Sequence, residues 1–276
     1  MAKKSQEAAH NENAQPRERV PYDYGGNPLA HIHSTDSARL PAFGGAAQPG
    51  LYKPPDTKIA NPAPLGLSGF ALTTFLLSCV NLGVRGLSSP MIVIAPALGY
   101  GGFIQLLAGM WEIAVGNVFG GTALSSYGGF WMGLAIILIP GGFEVETSYP
   151  TVIDFYAAFA LYIFGWFIFT FLLWLCTLRS TLAFSSLFMM VWIAFICLGT
   201  AYLDARNTAD GHPHVGLTRA GGVFGMIAAF IAWYNMLAGI MEPSNSFFAV
   251  PVVHFPWSEK GRAMRKKSDA TEDTMV

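Results

Sequence analysis

Charge is scarce in this chain, at 12 % Asp, Glu, Lys and Arg over 276 residues, and the middle is almost free of it. Seven of the 16 Lys and Arg precede Asn61 and five follow Met241, which leaves Arg85, Arg179, Arg206 and Arg219 for everything between. No basic face that would suit nucleic acid remains outside the tails, and a net charge of −1 gives no other reason to expect one. Cysteine is as sparse: Cys79, Cys176 and Cys197 each lie inside an apolar run, as small hydrophobes do, and imply neither a disulfide framework nor a metal cluster. The motifs GxxxxGK(S/T), GxSxG and HExxH are missing. Their absence removes a phosphate-cradling loop, a nucleophile elbow and a zinc helix, and with them the readings as an ATP-driven pump or an enzyme. No cofactor is implied. There is no Asn-x-Ser/Thr sequon, so glycosylation marks no compartment. No apolar run of signal-peptide type lies near the N-terminus, so the first hydrophobic span is itself the expected membrane-targeting element.

What the chain has instead is apolar sequence, 53 % of it, which places it among integral membrane proteins. Six stretches approach the roughly 20 residues that a helix needs to cross hydrocarbon. They are residues 65–84, 91–112, 120–139, 153–178, 182–203 and 220–241. Short connections make residues 61–241 an all-α membrane domain, a bundle of six transmembrane helices. Residues 1–60 are polar, without an apolar period, and read as a disordered tail; His31 and His33, two apart within it, form no metal motif. Residues 242–276 are too irregular for another span, and their aromatics and prolines are expected to lie along the bundle or the interface. Six spans put both tails on one side. Lys53, Lys58, Arg179 and Lys260 place that side in the cytosol, in a multi-pass protein of, we expect, the plasma membrane.

Residues 61–82 carry the most information. On a 3.6-residue helix Phe70, Thr73, Thr74, Leu77 and Asn81 share one face. Hydrocarbon offers hydroxyls and amides no partner, so this face should look at other helices or at a water path. The alternative is that Thr73 and Thr74 bond back to carbonyls one turn earlier. Leu72, Leu76, Cys79 and Val80 form the face suited to lipid. In the second span Gly101, Gln105, Gly109 and Glu112 share a face fit for close helix contact, with Glu112, at the span end, expected to be solvated at the interface. Gly129 with Gly133 and Gly221 with Gly225 repeat a small-xxx-small spacing. The stripe Phe184, Phe188, Val191 and Phe195 reads as core. His212 and His214, near Asp204 and Asp210, match no compact tetrahedral metal motif. The neutral polar groups Thr73, Thr74, Asn81, Gln105, Ser126, Tyr127 and Asn235 suit weak hydrogen bonding of a small anion or its neutral acid, and conduction needs weak binding.

NPAPLGLSGFALTTFLL at residues 61–77, YGGFIQLLAGMWE at 100–112, GNVFGGTALSSYGGFW at 116–131 and CTLRSTLAFSSLFMMVWIAF across the fourth and fifth spans resemble the acetate uptake transporter family. The resemblance covers roughly residues 61–242, and the long polar N-terminal tail and FPWS-like end resemble its fungal branch. It implies six helices per protomer, a homo-hexamer in the bilayer and a separate path through each protomer for acetate or another small monocarboxylate. It also implies an apolar constriction of Phe70, Tyr127 and Val191, the last in place of the leucine expected there. Thr73, Thr74 and Gln105 would line the path, Asn61 belongs to the signature, and Glu112 is a candidate for gating or proton handling. Acetate permeation, with a proton if the neutral acid crosses, is the leading expectation. Ammonium or ammonia export and a non-transporting membrane sensor or scaffold are the alternatives.

Overall fold

A computed structural model describes residues 59–242 and 244–266. Nearly all of the tail expected over residues 1–60, with His31, His33, Lys53 and Lys58, lies outside the described residues. Among the described residues six helices are of membrane-crossing length: α1 (Ala63–Asn81), α2 (Met91–Ala114), α3 (Val118–Leu138), α4 (Val152–Thr177), α5 (Leu182–Leu203) and α6 (Val215–Ile240). All are long and apolar enough to cross a bilayer, and the protein is an integral, multi-pass membrane protein. Among the described residues no strand forms beyond a bridge between Thr181 and His254.

Capping moves the boundaries away from the hydropathy limits. α1 begins two residues early because Pro64 fits a first turn whose N–H groups would be unpaired anyway, and it stops before Gly83, which takes a left-handed φ of 68°. α6 begins five residues early because His214 caps it, Nδ1 accepting the Leu217 N–H at 3.3 Å. Asn117, Thr151 and Thr181 cap α3, α4 and α5 in the same way, at 3.0, 3.1 and 3.2 Å.

α2 is not a plain helix. Pro96 removes a donor from its interior, and Gly99–Ile104 winds as a π turn. This turn presses on α1: a Cβ on Gly69 would lie 2.6 Å from the Tyr100 carbonyl oxygen, and one on Gly101 would strike Thr73. α3 approaches α2 through Gly128, where a Cβ would meet Leu106 at 2.7 Å, and through Gly121. Of the pair Gly129 and Gly133, Gly129 has open space before it, one position round the helix from Gly128, while a Cβ on Gly133 would meet the Tyr162 hydroxyl of α4 at 3.0 Å. Gly221 and Gly225 do pack closely, against Leu198 of α5 and Ser78 of α1. The lipid face of α1 holds for Leu72, but Val80 turns inward and is buried.

Beyond α6 the chain folds back onto the α4–α5 junction. The Leu182 N–H donates to Val253 at 2.9 Å, Phe255 N–H to Ser180 at 3.3 Å, and the Trp257 indole N–H to Leu178 at 2.6 Å. The Tyr234 hydroxyl donates to the Pro251 carbonyl. Neither ring nitrogen of His254, held in this seam, has a partner. Burial, helped by the Lys260 charge, pushes its pKa below 6.5. Released from the seam, the imidazole takes up a proton near 6.5; docked, it resists doing so. Docking is therefore strongest above the free value and weakens as pH falls below it. Hydrogen exchange over residues 251–258, corrected for intrinsic rates, is expected to be faster at about pH 5.5 than at about pH 7.5. His254→Phe should abolish that difference.

Candidate solute path

Two cavities lie along the bundle. The larger, about 570 Å³, is lined from α1 by Phe70, Thr74, Leu77 and Asn81, the face that helical periodicity singled out. The smaller, about 30 Å³, lies toward the end where α1 begins, and Leu67, Gln105, Phe119 and Phe184 are among its walls. Phe70 and Val191 wall both cavities. Tyr127 borders the smaller one, its ring centroid 5.8 Å from that of Phe70. Of the three residues named as a constriction, Phe70 and Val191 stand between the two spaces and Tyr127 lies beside Phe70 on the smaller one, each at most 6 % exposed.

Thr73 and Thr74 do not behave alike. The Thr73 hydroxyl donates to the Gly69 carbonyl at 2.8 Å, its side chain faces the π turn of α2, and it lines neither cavity. Thr74 is buried in the wall of the larger cavity, and its hydroxyl has no partner. Gln105 is fully buried against the smaller cavity, with neither amide atom bonded. A buried polar group left unpaired costs about 1–3 kcal/mol, which water or a solute entering the cavities would offset.

Other candidates stand away from these spaces. Ser126 is half-buried and lines neither cavity. Asn61 opens α1, its side-chain oxygen accepting the Ala63 N–H at 3.1 Å. Asn235 donates to the Ile231 carbonyl of its own helix at 2.9 Å. His212 reaches the larger cavity, while Asp210, held below its usual pKa by hydrogen bonding to the His212 backbone N–H, belongs to the turn.

Glu112 is a correction to the sequence reading. It is not solvated but fully buried, because α2 runs two residues past the expected end and keeps the carboxylate inside the bundle. Asn117 donates to its Oε2 at 2.5 Å and, through its own carbonyl oxygen, accepts the Gly120 N–H at 3.0 Å, tying the carboxylate to the N-terminus of α3. Oε1 has no partner. A Cβ on Gly120 would come within 3.0 Å of Oε2, so only glycine leaves that approach open.

The α5 stripe expected to be core is also cavity wall: Phe184 and Phe188 face the smaller space, Phe195 the larger. Three residues escaped notice altogether as lining or positioning groups. Trp131 lines the larger cavity with its indole N–H unpartnered. Thr170 of α4 accepts the Tyr127 hydroxyl at 3.0 Å. Arg219, one of four basic residues between Asn61 and Met241, lines the larger cavity.

Two cavities that share Phe70 and Val191 as walls, inside six helices long and apolar enough to cross a membrane, are the arrangement of a membrane transport protein of the channel or carrier type. Residues 43–257 match the GPR1/FUN34/yaaH family, and the chain belongs to it. It is 57 % identical over 251 residues to acetate permease A of Emericella nidulans, covering 89 % of this chain and 83 % of that one. It is 47 % identical over 219 residues to ammonia transport outward protein 2 of Saccharomyces cerevisiae, covering 79 % and 75 %. The solved structure of the bacterial acetate channel SatP is similar with a TM-score of 0.60 at 29 % identity, covering 71 % of this chain and 99 % of that one.

Proposed function

We propose that this protein carries acetate and related short monocarboxylates across a membrane, each protomer by its own path. The observation that carries the reading is the shared wall: Phe70 and Val191 separate a space holding unpaired Thr74 from one bordered by unpaired Gln105. A solute hydrogen-bonds on either side and crosses the neck dry. Stripping water from a carboxylate there is costly, and the neutral acid avoids most of that cost. With carboxyl pKa values of roughly 4, acid media then favour uptake with a proton. Arg219 draws the anion into the larger cavity. Val191, one methylene shorter than leucine, leaves room for acids somewhat larger than acetate. The path binds and passes its solute without altering it, so the protein is no enzyme.

We read both tails as cytosolic, so the larger cavity faces outward from a plasma membrane. Assembly as a homo-hexamer fits Gly129, which has open space before it on α3, a surface where a helix of another protomer can come close. Ammonium export is the second reading, favoured by the yeast relative and by Glu146 in the larger cavity. Arg219 in the same cavity opposes it. Purified protein in liposomes, given labelled acetate or ammonium under an imposed pH gradient, separates them. Acetate influx should rise with external acidity, and Thr74→Val should lower it about fivefold, the value of one hydrogen bond. Ammonium flux without acetate flux would favour export, and no flux of either would leave a sensor or scaffold.

A further inference from the structure

Tyr127 is the polar member of the neck, yet its hydroxyl is spent elsewhere. It donates to Thr170 Oγ1 at 3.0 Å, across to α4, and Thr170 lines neither cavity. Both residues are buried, Tyr127 at 4 % and Thr170 at 0 % exposure. Rings of Phe70, Phe169, Trp166 and Phe188 surround Tyr127 at centroid distances of 5.8, 5.9, 6.1 and 6.2 Å, and the Trp166 indole N–H is taken up by the Tyr162 hydroxyl. Such rings would hold a phenylalanine equally well. They cannot satisfy a phenol hydroxyl, and one left unpaired in this place recruits water or solute.

We propose that Thr170 is a specificity-determining positioning residue: by holding the Tyr127 hydroxyl against α4 it keeps the neck dry and sets its preference for alkyl over hydroxylated short acids. This rests on the reading of Phe70, Tyr127 and Val191 as the neck of the path. With the hydroxyl bound, a solute at the neck meets carbon alone. Glycolate must then leave its own hydroxyl unpaired, whereas propionate, with a methyl group in that place, loses nothing. Size is nearly the same for the two acids, so their flux ratio reports polarity at the neck and not its width.

The test uses the full chain in liposomes with labelled glycolate and propionate. Thr170→Val keeps the shape and removes the acceptor. The glycolate-to-propionate ratio is expected to rise about five- to tenfold, the worth of one buried hydrogen bond. Thr170→Ser should restore the original ratio, and in a Tyr127→Phe background Thr170→Val should no longer move it, since no hydroxyl remains to be released. A merely structural role would change melting temperature or total flux without shifting this ratio. An unchanged ratio in a Thr170→Val protein that elutes and melts as a folded assembly overturns the proposal. Should that variant fail to assemble, Thr170→Cys, of similar volume and a weak acceptor, decides on the same ratio. Phe70→Ala, scored by propionate against acetate, keeps the two readings apart. If it has no effect the neck itself is misplaced, while a response there without one at Thr170 sinks only the role of Thr170.

Discussion

Phe70→Ala is expected to raise propionate and lactate flux about tenfold relative to acetate. Phe70 walls both cavities, so removing its ring joins a space of about 30 Å³ to one of about 570 Å³ at the proposed neck. A single methylene in an apolar filter is worth roughly 10- to 200-fold in discrimination, and a benzyl group is far larger than one methylene. The lower end of that range is expected because Tyr127 and Val191 still line the opening. Truncating a buried aromatic ordinarily costs about 3–5 kcal/mol. Here the loss should be smaller, since the ring already borders empty space on two sides and water can enter. Labelled influx of the three acids measures the effect, and equal ratios in variant and parent would remove Phe70 from size selection.

The first helix shows how far a sequence reading reaches. Its period placed Phe70, Thr74, Leu77 and Asn81 together, and they do line one cavity. Thr73 was grouped with them because adjacent helix positions differ by only about 100°. What turns Thr73 away is Gly101 in the π turn of α2, a contact that no pattern within α1 encodes. Glu112 departs from its expected solvation for a related reason. Hydropathy treats a carboxylate at a span end as solvated, whereas its burial depends on a cap five residues later and on the helix that cap begins. The bond between Tyr127 and Thr170 joins residues 43 apart in sequence, and one pair between two aromatic-rich helices leaves no periodic trace. Faces are legible because every turn repeats the signal; hydrogen bonds between helices are single events.

The largest loss of stability is expected from Asn117→Leu, because this side chain serves two buried groups at once. Its amide nitrogen donates to Glu112 Oε2 at 2.5 Å and its amide oxygen caps α3 at 3.0 Å. Losing the cap costs about 1 kcal/mol. Leaving the buried carboxyl without this donor adds about 1.5–3 kcal/mol, although the two losses share a neighbourhood and need not sum. A net loss of roughly 3 kcal/mol is expected, read as a lower midpoint in thermal unfolding of the detergent-solubilised protein. Glu112→Gln should cost only about 1 kcal/mol, because the glutamine carbonyl still accepts from Asn117. The double variant Glu112→Leu, Asn117→Leu should be more stable than Asn117→Leu alone, since removing both partners leaves no stranded charge. If the double variant is instead the less stable, the Glu112 carboxylate is not what Asn117 is there to satisfy. Flux then assigns the role. Glu112 lines neither cavity. A Glu112→Gln protein that still takes up acetate under an acid gradient makes the carboxylate a brace between α2 and α3, whereas one that folds but no longer responds to the gradient makes it the proton-handling group.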